Sequence, residues 1–374
     1  MAILHALIGQ VVRLLPICYT SIGVFSAIVL HVFPVGAQIH RGPQPDIVID
    51  VPTRLGVIQG VLKAFGDHYV FPEVAQEAEE SIRLRLQRKE YDGITSAKAL
   101  AETMTTDLRA VTHDVHAKVL YSSIPLPQHE QSEPTPAQME QYQRDAAVEN
   151  FGFEKVERLS GNVGYLELRS FADPGIAAST AVAAMNFLTN TEALIIDLRQ
   201  NGGGSPEMVA LLSSYLFDSG EPVHLNDIYH RPDNSTRQFW TLPYVPGRLY
   251  LEKEVYILTS RGTFSAGEEF AYNLKHLKRA TLVGETTGGG ANPGELFRVG
   301  KHFDVFVPTG RAINPITKTN WEGSGVKPDI EVPAEQALKT AHQVALRNLT
   351  QKATDEKRKQ ELQKMLQEAE QTRP

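Results

Sequence analysis

Ser265 lies where a predicted strand gives way to a predicted helix, in the stretch LTSRGTFSAGEEF that spans residues 258–270. A hydroxyl at such a turn is exposed, and the helix N-terminus favours negative charge, which are conditions that a nucleophilic serine requires. The N–H group of Ala266 would then donate to an oxyanion formed during acyl transfer. Two other interpretations remain open: Ser265 caps its helix, with Glu268 completing a capping box, or Ser260 is the nucleophile.

Three consecutive glycines follow a second apolar strand, in IIDLRQNGGGSPE, residues 195–207. Glycines let backbone N–H groups approach a ligand closely, and such groups bind a phosphate or a developing oxyanion. The Lys-Ser or Lys-Thr pair of a phosphate-binding loop is absent, and the stretch fits a dinucleotide fingerprint poorly. It therefore predicts an oxyanion-binding turn, with a plain tight turn as the alternative.

Two further stretches carry groups that could complete a site built on serine. Two histidines stand three residues apart in THDVHAKV, residues 112–119, and one of them can serve as the general base. A metal site is the alternative, but a third ligand at regular spacing is missing. In NWEGSGVKPDI, residues 320–330, Glu322 lies between an aromatic side chain and glycine turns. Such a carboxylate can orient a histidine as the third member of a triad, or it can belong to a surface loop.

The elements that must position these groups are predicted by apolar periodicity. Three- and four-residue steps predict three helices within residues 53–111, which would make a small bundle. Residues 124–146 are rich in Pro, Gln and Glu, and are interpreted as a linker or an exposed loop. From about residue 151 strands alternate with helices, which predicts an α/β layer structure. The strand candidates are residues 163–168, 194–196 and 255–258, and the helix candidates are residues 176–188, 206–217 and 266–277.

The composition of the whole chain excludes some classes of function. Of its 374 residues 42% are hydrophobic, which is enough for one large core or two modest domains. Its formal charge of −7, without a basic stripe, argues against nucleic acid as a partner. The tail from residue 354 is highly charged and has one narrow apolar stripe, which predicts a solvated helix or a packing arm, with a partner-binding helix as the alternative.

The first 37 residues differ in composition from the rest of the chain. Arg13 is their only charged side chain, a long apolar run follows it, and small residues end at Ala37, which predicts a cleaved signal peptide. An uncleaved membrane anchor is the alternative, since the run approaches the length of a bilayer span. The only cysteine, Cys18, lies in this segment, so the cleaved chain would have neither a disulfide nor thiol chemistry.

Taken together, the four stretches resemble the tail-specific, or C-terminal processing, serine proteases. The resemblance covers roughly residues 50–340 and rests on DLRxNxGG from residue 197, TxSAxE from residue 263 and GVxPDI from residue 325. The branch that the chain resembles most has no PDZ domain and includes the modules of interphotoreceptor retinoid-binding protein. This resemblance implies a crotonase-like α/β spiral core preceded by a small helical bundle.

Two catalytic arrangements occur in that family. One is a Ser–Lys dyad, whose lysine position falls on Gly289 in this chain, so the dyad pattern is not kept. The other uses serine, histidine and glutamate, with the histidine in an Asp-x-His segment and the glutamate just before Gly-Val-x-Pro-Asp. The resemblance thus implies that Ser265 is the nucleophile, His116 the general base and Glu322 the group that holds the imidazole, directly or through an intervening group.

The remaining roles also follow from the resemblance. It implies that the N–H groups of Gly203 and Ala266 stabilise the oxyanion, with Gly202 as the alternative to Gly203. Asn201 would support the glycine turn, and Asp114 would brace the loop that carries His116. No cofactor and no metal are required, and the implied partner is a peptide or protein substrate.

We therefore predict an exported serine peptidase, periplasmic or extracellular, that touches a membrane only through residues 1–37 if these are not cleaved. The alternative on the same fold is a carrier of retinoids or fatty acids, which would have a large apolar cavity and would not need an intact triad. A coenzyme-A-binding hydratase fits less well, because an adenine-binding signature is missing. The sequence indicates no oligomeric state. The predicted segments are a signal peptide or anchor (1–37), a helical bundle (44–122), a linker or loop (123–150), an α/β peptidase core (151–345) and a charged helical tail (346–374).

Overall fold

The computed structural model describes residues 44–126 and 135–371. The predicted signal peptide or anchor at residues 1–37, with Cys18, lies outside these described residues. Within the two described ranges, no helix combines the length and the apolar character that crossing a bilayer would require.

Three helices form the N-terminal part, at the positions that the apolar periodicity predicts. The first begins after Asp50, whose side chain accepts from the Thr53 N–H at 2.9 Å, and the third begins after Ser96, which accepts from the Ala99 N–H at 2.9 Å. Their apolar faces enclose a common core that includes Ile58. These helices are α1 (Val51–His68), α2 (Pro72–Gln87) and α3 (Ala97–Thr112).

The stretch interpreted as a linker contains a helix, α4 (Pro136–Val148). Thr135 and Gln138 form a capping box at its start, in which each side chain bonds the backbone of the other residue. None of the residues of α4 is buried. The prediction of a loop was wrong here because an exposed helix has no apolar stripe to reveal its period.

The core is a six-stranded sheet whose order is β12-β8-β7-β4-β3-β2, where β2 pairs antiparallel with β3 and the other neighbours run parallel. The predicted strands at 163–168, 194–196 and 255–258 are confirmed as β3, β4 and β7. The six strands are β2 (Phe153–Leu159), β3 (Val163–Leu168), β4 (Ala193–Asp197), β7 (Glu254–Thr259), β8 (Thr281–Gly284) and β12 (Ile330–Glu331).

Helices cover both faces of this sheet, so its central strands are apolar on both sides. In β4, Leu194 and Ile196 pack on one face, while Ile195 packs on the opposite face. The first face is covered by α5 (Pro174–Leu188), α6 (Pro206–Ser214) and α7 (Ala266–His276), and the second by α8 (Ala334–Lys352). This arrangement confirms the predicted α/β layers.

Two three-stranded antiparallel sheets complete the fold. One has the order β1-β10-β9 and joins the N-terminal helices to the later part of the chain, and the other has the order β11-β5-β6. Their strands are β1 (Lys118–Tyr121), β9 (Gly294–Gly300), β10 (Phe303–Pro308), β5 (His224–His230), β6 (Ser235–Trp240) and β11 (Gly310–Ile313).

The charged tail ends in a helix, α9 (Glu356–Gln371), that packs against α8. The boundary predicted at residue 345 lies inside α8, which continues to Lys352. Leu362 is the buried residue of α9, and its Cδ2 atom lies with that of Leu346 over Gly161. The tail is therefore a helix that packs on the core, with Leu362 as its buried residue.

Replacing Leu362 by alanine is expected to lower the free energy of unfolding by about 2–5 kcal/mol, because it leaves a cavity between α9 and the core. Urea denaturation of the full chain measures this change. Lys364→Ala is the matched control on the same helix, since its side chain is 78% exposed, and it should change stability by less than about 0.5 kcal/mol. Equal effects of the two substitutions would show that α9 does not pack on the core.

Candidate active site

The glycine turn and the serine turn meet because they follow neighbouring parallel strands. β4 and β7 pair in register, with Asp197 opposite Leu258. The polypeptide therefore leaves the sheet at the same edge after each of these two strands. The Phe264 N–H donates to the Asn201 carbonyl oxygen at 2.9 Å, which ties the two turns together. The Ser260 hydroxyl donates to the Arg199 carbonyl oxygen at 2.6 Å, so its role in the structure is to hold this junction.

Ser265 has a backbone conformation that non-glycine residues rarely adopt. Its φ is 54° and its ψ is −121°, immediately before the first residue of α7. Such a conformation costs on the order of 1–3 kcal/mol, and it aims the side chain outward from a sharp strand-to-helix turn. Gly203 lies directly against this turn, since a Cβ atom at that position would come within 2.7 Å of the Ser265 Cβ.

Glu268 holds the serine turn and a later glycine loop in place. Its carboxyl group is fully buried and accepts from the backbone N–H of Ser265 at 2.9 Å. It also accepts from the N–H groups of Gly289 at 2.6 Å and Gly290 at 2.8 Å, and from the Thr287 hydroxyl at 2.5 Å. Burial raises the pKa of Glu268, while these donors act in the opposite direction. The sequence suggested only a capping role for this residue.

The two predicted oxyanion donors differ in their present partners. Ala266 is the first residue of α7, so its N–H has no acceptor within the helix. The Gly203 N–H donates to the Asn201 Oδ1 at 2.9 Å, and the Gly202 N–H donates to the Arg169 carbonyl oxygen at 3.1 Å. An oxyanion would therefore have to replace the Asn201 side chain as the acceptor of the Gly203 N–H.

His116 reaches the site from the end of the helical bundle. The ring lies against Phe264, the neighbour of Ser265, with ring centroids 4.6 Å apart. Burial, and then the positive charge of Arg109, lower the pKa of His116 to about 4, so the ring is neutral at pH 7. Its Nδ1 atom is buried without a hydrogen-bond partner among the described residues, and no hydrogen bond links it to Ser265. His113, three residues earlier, is exposed.

Glu322 and Asp114 lie beside His116. The Glu322 carboxyl accepts from the N–H groups of Ala291 at 2.6 Å and Asn292 at 3.1 Å, and Asp114 Oδ1 accepts from the His116 N–H at 3.0 Å. One side-chain atom each of Asp114, His116 and Glu322 lie within 4.8 Å of one another. The structure thus brings these three predicted residues together next to the serine turn.

These three side chains are also of types that bind metals. Both oxygens of Glu322 already accept backbone N–H groups, from Val115 at 3.3 Å on one side and from residues 291 and 292 on the other. Both oxygens of Asp114 also have donors, the His116 N–H on one and Asn292 Nδ2, at 2.8 Å, on the other. The arrangement therefore suits the handling of protons better than the binding of a cation.

Two family models match the chain. The model of peptidase family S41 matches residues 162–332, and the model of the N-terminal domain of Peptidase_S41 in eukaryotic IRBP matches residues 50–151. The first match contains the glycine turn, Ser265 and Glu322, and the second contains the helical bundle and His116.

Among named relatives, a carboxy-terminal-processing protease of Bartonella bacilliformis is 28% identical over 185 residues, which are 48% of this chain and 41% of that protein. Carboxyl-terminal-processing peptidase 2, chloroplastic, of Arabidopsis thaliana is 29% identical over 183 residues, 46% of this chain and 32% of that one. The chain thus spans less than half the length of these curated relatives.

One solved structure supports the fold. A candidate peptidase from Parabacteroides merdae superposes with a TM-score of 0.57 over 82% of this chain and 98% of that one, at 19% sequence identity. The likeness extends over most of both chains and shows a shared fold.

Proposed function

We propose that this chain, which two models of peptidase family S41 match, is a serine peptidase that hydrolyses peptide bonds through Ser265, His116 and Glu322. The observation that carries the proposal is the strained backbone of Ser265, at the start of α7 and against Gly203. A serine that only caps a helix has an ordinary extended backbone, as Ser205 (φ −82°) and Ser96 (φ −91°) do in this chain. Strain of this kind is kept where a side chain must be presented to a reacting group.

In the proposed mechanism, Ser265 Oγ attacks the scissile carbonyl carbon and His116 takes its proton. The Ala266 N–H, with the Gly203 N–H once it leaves Asn201, stabilises the oxyanion, and each donor contributes about 3 kcal/mol. His116 then returns the proton to the leaving amine. Water hydrolyses the acyl-enzyme by the same route, so the reaction needs no cofactor.

The proposal extends to features that the sequence suggested. We place the core in the crotonase-like spiral class, which agrees with a mainly parallel sheet covered by helices on both faces. We also propose that the protein is exported, on the strength of the composition of residues 1–37. Peptides or proteins are the proposed partners, in keeping with the names of the relatives.

Labelling by a fluorophosphonate probe tests the nucleophile without a known substrate, because the probe reacts only with an activated serine. The full chain should be labelled, and mass spectrometry should place the label on Ser265. His116→Ala should react roughly 10²- to 10⁴-fold more slowly, since it lacks the general base. His113→Asn is the matched control, because His113 is exposed and asparagine tolerates its left-handed backbone (φ 54°).

A folded wild-type chain that takes no label would contradict the proposed function. Circular dichroism establishes folding in that case. Binding of retinol and of a fatty acid would then be measured, because the carrier alternative needs no activated serine.

A further inference from the structure

Two carboxyl groups lie close together beside His116. Asp114 is 1% exposed, and one of its oxygens lies within 4.8 Å of an oxygen of Glu322. The donors that the structure describes for them are uncharged: backbone N–H groups, the Asn292 amide and the Tyr69 hydroxyl. Neither carboxylate is therefore neutralised by a direct ion pair within the described residues.

Two carboxylates at this separation, one buried and one half-buried, oppose each other's ionisation, so the first charge makes the second proton harder to remove. Burial raises the pKa of Asp114 too, while its donors, the His116 N–H, Asn292 and Tyr69, act in the opposite direction. Burial, and then the charge on Asp114, raise the pKa of Glu322 to about 7. Glu322 therefore changes its charge near neutral pH, where His116 is already neutral.

Two further titratable side chains lie close to this group of residues, Tyr69 beside Asp114 and Arg109 beside His116. Tyr69, at the end of α1, has a pKa raised by burial and stays a neutral donor. Arg109, on α3, donates to the carbonyl oxygens of Ala117 at 2.9 Å and of Val115. It is a fixed positive charge beside His116. The glycine loop and β10 present backbone groups, the Asn292 amide and the Phe306 ring to the cluster.

A second negative charge at this place would help catalysis. When His116 takes the Ser265 proton, the new imidazolium is opposed by burial and by the Arg109 charge. The charge on Asp114 alone offsets part of that cost, and ionised Glu322 offsets more. The carboxyl pair gains and loses no proton during turnover, because the serine proton passes to His116 and then to the leaving group.

We propose that Asp114 is a positioning residue that sets the pH range of the site, because its carboxyl group lies within 4.8 Å of that of Glu322 and only uncharged groups donate to the two. The inference rests on the proposed function, in which Ser265 is the nucleophile. It goes beyond a brace for the His116 loop, since a brace would affect the rate at every pH by the same factor.

The test follows the rate constant for fluorophosphonate labelling of Ser265 on the full chain between pH 5 and 9. The wild-type rate should rise with pH through a midpoint near 7. In Asp114→Asn this midpoint should move to lower pH by about one unit or more, since Glu322 then ionises without a neighbouring charge. The substitution keeps the local geometry, because Asn292 Oδ1 is buried and unpartnered and can accept from the new amide once the Asn292 side chain turns over.

Asp107→Asn is the matched control, a buried carboxylate in the helical bundle that accepts from Tyr91 at 2.6 Å and from Arg85. It should leave the midpoint unchanged. If Asp114→Asn lowers the labelling rate but leaves the midpoint of its pH dependence unchanged, Asp114 only supports the His116 loop, and the inference is overturned. A wild-type chain that takes no label at any pH would instead remove the proposed function.

Two further measurements keep the inference testable if Asp114→Asn does not fold. In Glu322→Gln the rise near pH 7 should be lost, because the titrating group is gone. Nitrogen-15 chemical shifts of the His116 ring, assigned through His116→Ala, should show a neutral ring in the wild-type protein over the whole pH range in which the labelling rate increases. If the His116 ring instead loses its proton over the same pH range, the increase in labelling rate belongs to His116, and the inference is wrong.

Discussion

Ser265→Ala is expected to abolish fluorophosphonate labelling and to reduce any peptide hydrolysis that the wild-type chain performs by roughly 10⁴- to 10⁶-fold. The substitution removes the oxygen that forms the acyl-enzyme, while Glu268 still accepts from the backbone N–H at this position. The fold should therefore survive, and alanine keeps the turn and the start of α7. Label incorporation, followed by mass spectrometry, is the measurement.

Ser260→Ala provides the matched control for this loss. Ser260 lies on the same turn, and its hydroxyl donates to the Arg199 carbonyl oxygen and accepts from the Gly262 N–H at 2.9 Å. Its loss should lower stability by about 1 kcal/mol and leave labelling intact. Loss of labelling in Ser260→Ala, with labelling kept in Ser265→Ala, would transfer the nucleophile to Ser260.

Gly203→Ala is expected to slow labelling at least 10²-fold and to lower the free energy of unfolding by about 1–3 kcal/mol. The new Cβ would come within 2.7 Å of the Ser265 Cβ and 3.2 Å of the Ala266 nitrogen, at a backbone φ of +104° that disfavours a side chain. Both the nucleophile and the oxyanion donor would be displaced. Labelling kinetics and urea denaturation report the two effects separately.

The adjacent glycine gives a close comparison. A Cβ at Gly202 would meet no atom within 4 Å, and its backbone lies outside the left-handed region. Gly202→Ala should therefore change stability by no more than about 0.5 kcal/mol. Similar losses of labelling rate and of stability in both variants would mean that Gly203 does not lie as close to Ser265 as the structure describes.

The position of Ser265 could be predicted from the sequence because the elements around it are local: a strand, a turn and a helix start within 13 residues. The role of Glu268 could not, because its other donors come from residues 287–290, about 20 residues later, and are brought to it only by the sheet. The signal was present in part, as a glutamate near the start of α7 and a glycine cluster further along. Their pairing is a tertiary contact that no local pattern specifies.

The prediction of the proposed oxyanion donors from the sequence was limited in a similar way. The glycine turn was predicted from residue types, yet the acceptor of the Gly203 N–H is the side chain of Asn201, two residues earlier, which a pattern of residue types does not reveal. The hairpin of β5 and β6 was not predicted either. Most residues of β6 are exposed and polar, and strand formation there depends on pairing with β5 rather than on apolar alternation.

The pairing of β1 with β10 also determines the stage of synthesis at which the site can form. The backbone of Val115 bonds to Glu322 across 207 residues, and the strand after His116 needs residues 303–306 as its partner. At typical rates of synthesis, those 207 residues emerge from the ribosome over roughly 10–40 s. Throughout that time the growing chain carries its histidine loop without the carboxylate and the strand that hold it. On the proposed function, a peptidase assembled in this order would be unable to cut its own nascent chain, or other unfolded chains nearby, until nearly all of its fold had been made.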